Sequence, residues 1–158
     1  MNNINRHLTV LVVDDEIELL ETLQFGLHRV YDKVLIAKNG IEAKEVIESG
    51  IDIDVIVTDL NMPDMCGVDL INWIKTTYER FIPIVVTSGH SNISERYLDT
   101  GCIEVLDKPV DVRELVFVVD KLAKIRQEMC KTKENLAKLE NVYSEAKKLM
   151  DVIKGRKE

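Results

Sequence analysis

Three aspartates set the chemical possibilities of this chain: Asp14 and Asp15 follow the apolar run Val10–Val13, and Asp59 follows the run Ile53–Thr58. Carboxylates brought within about 4 Å of one another repel by up to several kcal/mol in a partly shielded site, so such a group either traps protons or holds a cation. The set contains no His or Cys, and an oxygen-only environment selects magnesium or manganese over zinc. Lys108 and Thr87 close two further apolar runs and would bring a fixed positive charge and a hydroxyl donor. Carboxylates, a hard cation, an ammonium and a hydroxyl in one place have the chemistry of a site that handles a phosphoryl group.

These residues meet only if the apolar runs lie side by side. Val- and Ile-rich runs recur at Leu8–Val13, Val34–Ala37, Ile53–Thr58, Ile84–Thr87 and Ile103–Leu106, and segments of helical spacing separate them. One helical stripe carries Ile17, Leu20, Leu23, Leu27 and Val30; another carries Val68, Leu70, Ile71 and Ile74, with Trp73 nearby. Strands that are apolar throughout, rather than alternating, are buried on both faces, which predicts an α/β chain with an open, doubly wound parallel sheet between helices. In such a sheet the carboxyl ends of the strands border a crevice at a topological switch point, and Asp14, Asp15, Asp59, Thr87 and Lys108 all fall there. Asn39-Gly40, Ser49-Gly50, Pro63 and Pro83 punctuate the elements where this scheme needs breaks.

Four segments taken in order, Val-Val-Asp14-Asp15-Glu16, Thr58-Asp59-Leu60-Asn61-Met62-Pro63, Val86-Thr87-Ser88-Gly89 and Leu106-Asp107-Lys108-Pro109, together resemble the receiver domain of two-component response regulators over roughly residues 6 to 122. The resemblance implies a flavodoxin-like five-stranded sheet in the order 2-1-3-4-5. It also implies Asp59 as nucleophile and phosphoacceptor, Asp15 and Asp59 as direct magnesium ligands, a backbone carbonyl of Asn61 on the metal, and Asp14 acting on it through water. Lys108 would pair with phosphoryl oxygens, Thr87 would hydrogen-bond to them, and the small Ser88 would leave them room. The Lys108-Pro109 bond resembles one that is cis in this family. The implied donor is a histidine kinase or phosphotransfer protein, with self-catalysed transfer and slow hydrolysis but no external substrate. One position departs: Val105 stands where the family usually carries Tyr or Phe, so the usual coupling of threonine to a swinging aromatic side chain is not expected. Output would then use backbone shifts of the face built from the last two helices and the strand between them.

Beyond Lys108-Pro109-Val110, Asp111 is a suitable N-cap for a helix that meets no Gly or Pro until after Lys154. Leu115, Val118, Leu122, Ile125, Met129, Thr132, Leu136, Leu139, Tyr143, Ala146, Met150 and Ile153 follow alternating steps of three and four, a sustained heptad. The receiver is therefore assigned to residues 1–122 and a coiled-coil extension to 123–158. Parallel self-association into a homodimer is the simplest use of such a stripe, with Glu128 and Lys133 as flanking charges, although Val142 and Leu149 widen the seam and would also suit a bundle of more than two helices.

Composition narrows the remaining choices. The 158 residues are 46% apolar, enough for one core plus an appendage. No apolar run approaches the roughly 18 residues that span a bilayer, and acidic residues interrupt the N-terminal run before it could act as a signal peptide; a cytoplasmic protein is expected. Residues 1–120 hold 10 Lys and Arg against 22 Asp and Glu, a balance of −12, whereas 121–158 hold 11 against 6, a balance of +5. The acidic part argues against nucleic acid, and the basic tail interleaves its Lys with Glu and lacks an Arg or aromatic cluster, so nucleic-acid binding is not expected. Cys66, Cys102 and Cys130 show no metal or disulfide spacing, and His7, His28 and His90 are scattered and read as surface residues. Two other readings compete. A phosphorylation-independent scaffold would have little use for the full Asp14, Asp15, Asp59, Thr87 and Lys108 set. A flavin or nucleotide binder wants a Gly- or Ser/Thr-rich phosphate loop after the first strand, where Asp14-Asp15-Glu16 would repel phosphate.

Overall fold

The computed structural model describes residues 7–78, 80–89 and 103–155. In chain order the elements are β1 (Thr9–Val13), α1 (Ile17–His28), β2 (Lys33–Ala37), α2 (Gly40–Glu48), β3 (Val55–Asp59), α3 (Gly67–Thr77), β4 (Ile84–Ser88), β5 (Ile103–Asp107) and a C-terminal helix, α4 (Val112–Gly155). All strand pairings are parallel and the order is β2-β1-β3-β4-β5, the doubly wound arrangement that the apolar runs predict. The expected helix between the last two strands, together with His90 and Cys102, lies outside the described residues.

Every residue of β3 and β4 is buried, as strands covered on both faces must be. Two apolar clusters flank the sheet. One joins Val10, Val12, Val55 and Val57 to Leu20, Leu23 and Leu27 of α1 and to Leu115, Val119 and Leu122 of α4. The other joins Leu11, Val13, Ile56 and Val86 to Ala43 and Ile47 of α2 and to Leu70, Ile71 and Ile74 of α3. Alternate strand residues point to opposite faces, so one continuous apolar run serves both clusters.

Local chemistry fixes the ends. The third strand starts later than the apolar run suggests; just before it, Asp54 is tied to Thr9 twice, its carboxylate accepting the Thr9 N–H and its own N–H donating to the Thr9 carbonyl, both at 2.8 Å. Asn39 caps α2 by accepting the Glu42 N–H at 2.9 Å, while the Glu42 carboxylate reaches back to the Lys38 N–H at 2.8 Å. Asp111 caps α4 as expected, accepting from the N–H of Arg113 at 2.7 Å.

Tyr31, just beyond α1, adds a tie that the sequence does not announce. Its ring is buried, and its hydroxyl donates toward the Asp120 carboxylate at 2.9 Å and the Val116 carbonyl at 3.1 Å. Burial first, then the hydrogen bond and charge of Asp120, hold its pKa far above the ordinary tyrosine value.

The chain divides into two compact units, Met1–Lys124 and Ile125–Glu158. In the first, Leu115, Val118 and Leu122 are buried, so these early members of the heptad stripe belong to the receiver-side core rather than to a coil. In the second, residues 127 to 150 are almost entirely exposed along one helix. Among the described residues no helix is long and apolar enough to cross a membrane.

Candidate functional site

β1 ends at Val13 and β3 at Asp59, neighbours in the sheet, and the chain turns away from each into a helix. Asp14 is 2% exposed and Asp59 6% exposed, whereas Asp15 is open to solvent. The three offer carboxylate oxygens that all lie within 4.8 Å of one another.

Each buried carboxylate is held by its own backbone. Asp14 Oδ1 accepts the Glu16 N–H at 2.9 Å, a turn that opens α1, and the Asp14 N–H donates to the Ala37 carbonyl at 3.1 Å. Asp59 Oδ1 accepts the Leu60 N–H at 2.7 Å. The remaining oxygens converge on one cation: Lys108 Nζ is 2.9 Å from Asp14 Oδ2, 3.2 Å from Asp59 Oδ2 and 3.9 Å from Glu16 Oε1. Burial by itself would lower the ammonium pKa, but the hydrogen bond and charge of Asp14, and then those of Asp59, outweigh it and leave Lys108 above its ordinary value. Lys108 is thus firmly charged and acts as internal counter-ion to two buried acids.

The backbone places Lys108 there. Its N–H donates to the Ser88 carbonyl at 2.8 Å, extending the β4–β5 ladder by one bond, and the Lys108-Pro109 peptide is cis, as the resemblance implies. Thr87, buried at the end of β4, is the ladder partner of Asp59, and fully buried Ser88 follows it. Asn61 is exposed in the loop two residues past Asp59, and the described hydrogen bonds and ion pairs of the cluster run without it. Asp14, Asp15, Asp59 and Lys108 therefore form one contiguous group, with Thr87 beside it across the ladder and Asn61 at its rim.

Two contributors are not evident from residue type. Glu16 adds a fourth, exposed carboxylate on the solvent side of Lys108. Gly67, the first residue of α3, sits so close under the Asp59 backbone that a Cβ there would run into the Asp59 carbonyl oxygen, and its N–H donates to the Leu60 carbonyl at 3.0 Å. A Gly shortly after Met62-Pro63-Asp64 is a visible signal of close approach, but its target is legible only in three dimensions. Cys66, which precedes it, lies with Sγ 3.2 Å from the Asp69 carboxylate. His7 pairs with Asp32 at 2.8 Å on the surface, at the opposite end of β1 from Asp14.

The donor set fits a hard divalent cation. All its ligand atoms are carboxylate oxygens, two sequestered and one facing solvent, which suits an ion that keeps part of its water.

Comparison with known proteins agrees with this geometry. The family model described as "Response regulator receiver domain" matches residues 10–120. The chemotaxis protein CheY1 of Helicobacter pylori is 35% identical over 91 residues, 56% of this chain and 73% of that protein. A probable cyclic di-GMP phosphodiesterase of Vibrio cholerae is 31% identical over 107 residues, 66% of this chain but 24% of that protein. Among solved structures, a response regulator receiver domain protein from Clostridium thermocellum superposes with a TM-score of 0.69 at 27% identity, covering 77% of this chain and 98% of that one. The matched region thus spans about three quarters of the chemotaxis protein and about a quarter of the phosphodiesterase. On its matched motifs, its sheet order and its acidic cluster, the chain belongs to the response regulator receiver family of two-component signalling.

Proposed function

We propose that Asp59 accepts a phosphoryl group from a histidine kinase or phosphotransfer protein in a magnesium-dependent reaction, and that the modification is read out through conformation or assembly. The single observation that carries this reading is the position of the Asp59 carboxylate, held among Asp14, Asp15 and Lys108 at the end of β3.

In this mechanism an Asp59 oxygen forms a bond to phosphorus as the donor's phosphorus–nitrogen bond breaks, and the leaving imidazole takes up a proton. Leu60 N–H fixes the orientation of the Asp59 carboxylate, so the nucleophile needs little reorganisation. Lys108 supplies a permanent positive charge beside the reacting oxygen, and Thr87 is the hydroxyl nearest in the ladder to Asp59. Asp14, Asp15, Asp59 and the backbone carbonyl of Asn61 would hold magnesium (manganese is chemically similar), which when bound neutralises negative charge on the transferring group. Once Asp59 is modified, Lys108 has a phosphoryl oxygen to pair with in place of a bare carboxylate. Val105, partly buried against the second apolar cluster, has no ring to swing, so this reading does without an aromatic relay.

The finer reading divides the chain into a receiver over 1–122 and a helical extension over 123–158 that joins two copies, and sets the protein in the cytoplasm, where such kinases deliver phosphate. Incubation with acetyl phosphate and magnesium tests the central step by intact mass. One added phosphoryl group that disappears in Asp59→Asn and in EDTA is expected; an unmodified parent chain, or equal labelling of Asp59→Asn, rejects the reading and favours a phosphorylation-independent scaffold.

A further inference from the structure

The exposed part of α4 carries an apolar face that the rest of the described chain leaves uncovered. Along the heptad stripe, Ile125, Met129, Leu136, Leu139, Tyr143 and Met150 range from 41% to 74% exposed. Isolated helices of this kind are marginal in water, and most helical stability comes from packing an amphipathic face. The occupant that suits this face is another copy of the same chain. Over residues 125–150 Arg126, Lys131, Lys133, Lys138, Lys147 and Lys148 are interleaved with Glu128, Glu134, Glu140 and Glu145, whereas a helix that settles on anionic lipid or nucleic acid keeps a continuous basic polar face.

The orientation of the second copy follows from side-chain size. In a parallel, in-register pair every layer opposes like with like. Ala146 would meet Ala146 and leave a void, Tyr143 would crowd Tyr143, and Thr132 would meet Thr132. Reversing one helix changes the pairing. With the two-fold axis between Leu136 and Leu139, those two leucines pack on each other, Met129 meets Ala146, Thr132 meets Tyr143 and Ile125 meets Met150. Each small residue then faces a large one. The Thr132 hydroxyl is already satisfied by the Glu128 carbonyl at 2.9 Å, so it can be covered without a lost hydrogen bond. This register also sets Lys133 beside Glu140 of the second copy, twice by symmetry. Its like-charge position, Arg126 opposite Lys147, falls at the ends, where the Arg126 side chain is already buried within its own chain.

We propose that a second copy of this chain covers the exposed stripe of α4 as an antiparallel two-stranded coil over residues 125–150. This rests on the dimer reading above and reverses the parallel direction that the heptad alone suggests. The stripe's first three members, Leu115, Val118 and Leu122, are already buried in the first unit, which is why the pairing begins at Ile125.

The test uses the full chain with Cys66, Cys102 and Cys130 replaced by Ser. Ile125→Cys and Met150→Cys are made separately in that background, then oxidised alone and as a mixture, with light scattering on the parent chain. Both positions are exposed, so the fold tolerates the changes. In the antiparallel coil two copies of position 125 lie about 37 Å apart along the axis, far outside disulfide reach. A parent mass of two chains, with cross-linking in the mixture and none in either variant alone, is the expected result. Self-cross-linking of Ile125→Cys would overturn the antiparallel direction and leave the dimer standing. A parent mass of one chain would remove the dimer reading and this proposal together, and a mass of four chains would overturn the two-stranded coil.

Discussion

Replacing Lys108 with Met keeps most of the side-chain stem and removes only the charge that separates two buried acids. The ammonium lies 2.9 Å from Asp14 and 3.2 Å from Asp59, whose side chains are 2% and 8% exposed, and it is itself only 19% exposed. At about 3 Å and an effective dielectric near 20, each contact is worth roughly 5 kcal/mol of Coulomb attraction. Desolvation of the three groups offsets much of that, so the observable quantity is the cost of leaving the acids unpaired, about 3–5 kcal/mol. Urea unfolding at neutral pH in EDTA should therefore show the Lys108→Met midpoint lowered by on the order of 2 M for a domain of ordinary denaturant sensitivity. Millimolar magnesium should recover more stability in the variant than in the parent, because a cation at the acids supplies what the ammonium no longer does. Equal midpoints for parent and variant in EDTA would refute the view that Lys108 is the counter-ion of this cluster.

Three further changes probe how the fold supports the site. Tyr31 has its pKa raised by burial and by Asp120, so its contribution is complete below the unfolded value of about 10 and is lost as pH climbs from there toward the folded value; Tyr31→Phe should make stability above pH 10 fall less steeply, by up to about 1.4 kcal/mol per pH unit, in alkaline denaturant titrations. Gly67→Ala would force a Cβ into the Asp59 carbonyl oxygen and to 2.9 Å from the Leu60 Cα; about 1–3 kcal/mol of destabilisation is expected from chemical unfolding, with phosphoryl uptake at Asp59 impaired as well. Asn39→Ala removes the cap of α2 and should cost about 1 kcal/mol in the same assay while leaving phosphoryl uptake unchanged, since the hydrogen bonds and ion pairs described for Asp14 and Asp59 are made with other elements.

Much of this was legible because each reactive residue closes an apolar run. Val10–Val13 delivers Asp14 and Asp15, the run ending at Thr58 delivers Asp59, and the runs ending at Val86 and Leu106 deliver Thr87 and Lys108. A parallel sheet then brings all these ends to one edge, so sequence position converts directly into proximity. What was not legible depends on side-chain reach and on packing between distant segments. That Lys108 bridges Asp14 and Asp59, rather than waiting for a ligand, is a matter of ångströms. That Gly67 tucks beneath Asp59, and that Tyr31 reaches Asp120, depends on how α3 and α4 lie on the sheet. The heptad stripe falls in two environments: its first three members pack in the core and the later ones stand exposed, a division that period alone does not mark.

An acyl phosphate can be reduced by borohydride, which converts a modified aspartate to homoserine and fixes the mark in place. After treatment with acetyl phosphate and magnesium, tandem mass spectrometry of the reduced chain should find homoserine at position 59 and at no other aspartate. Homoserine at position 14 or 15 instead, or at none of the three, would contradict the assignment of Asp59 as the phosphoacceptor.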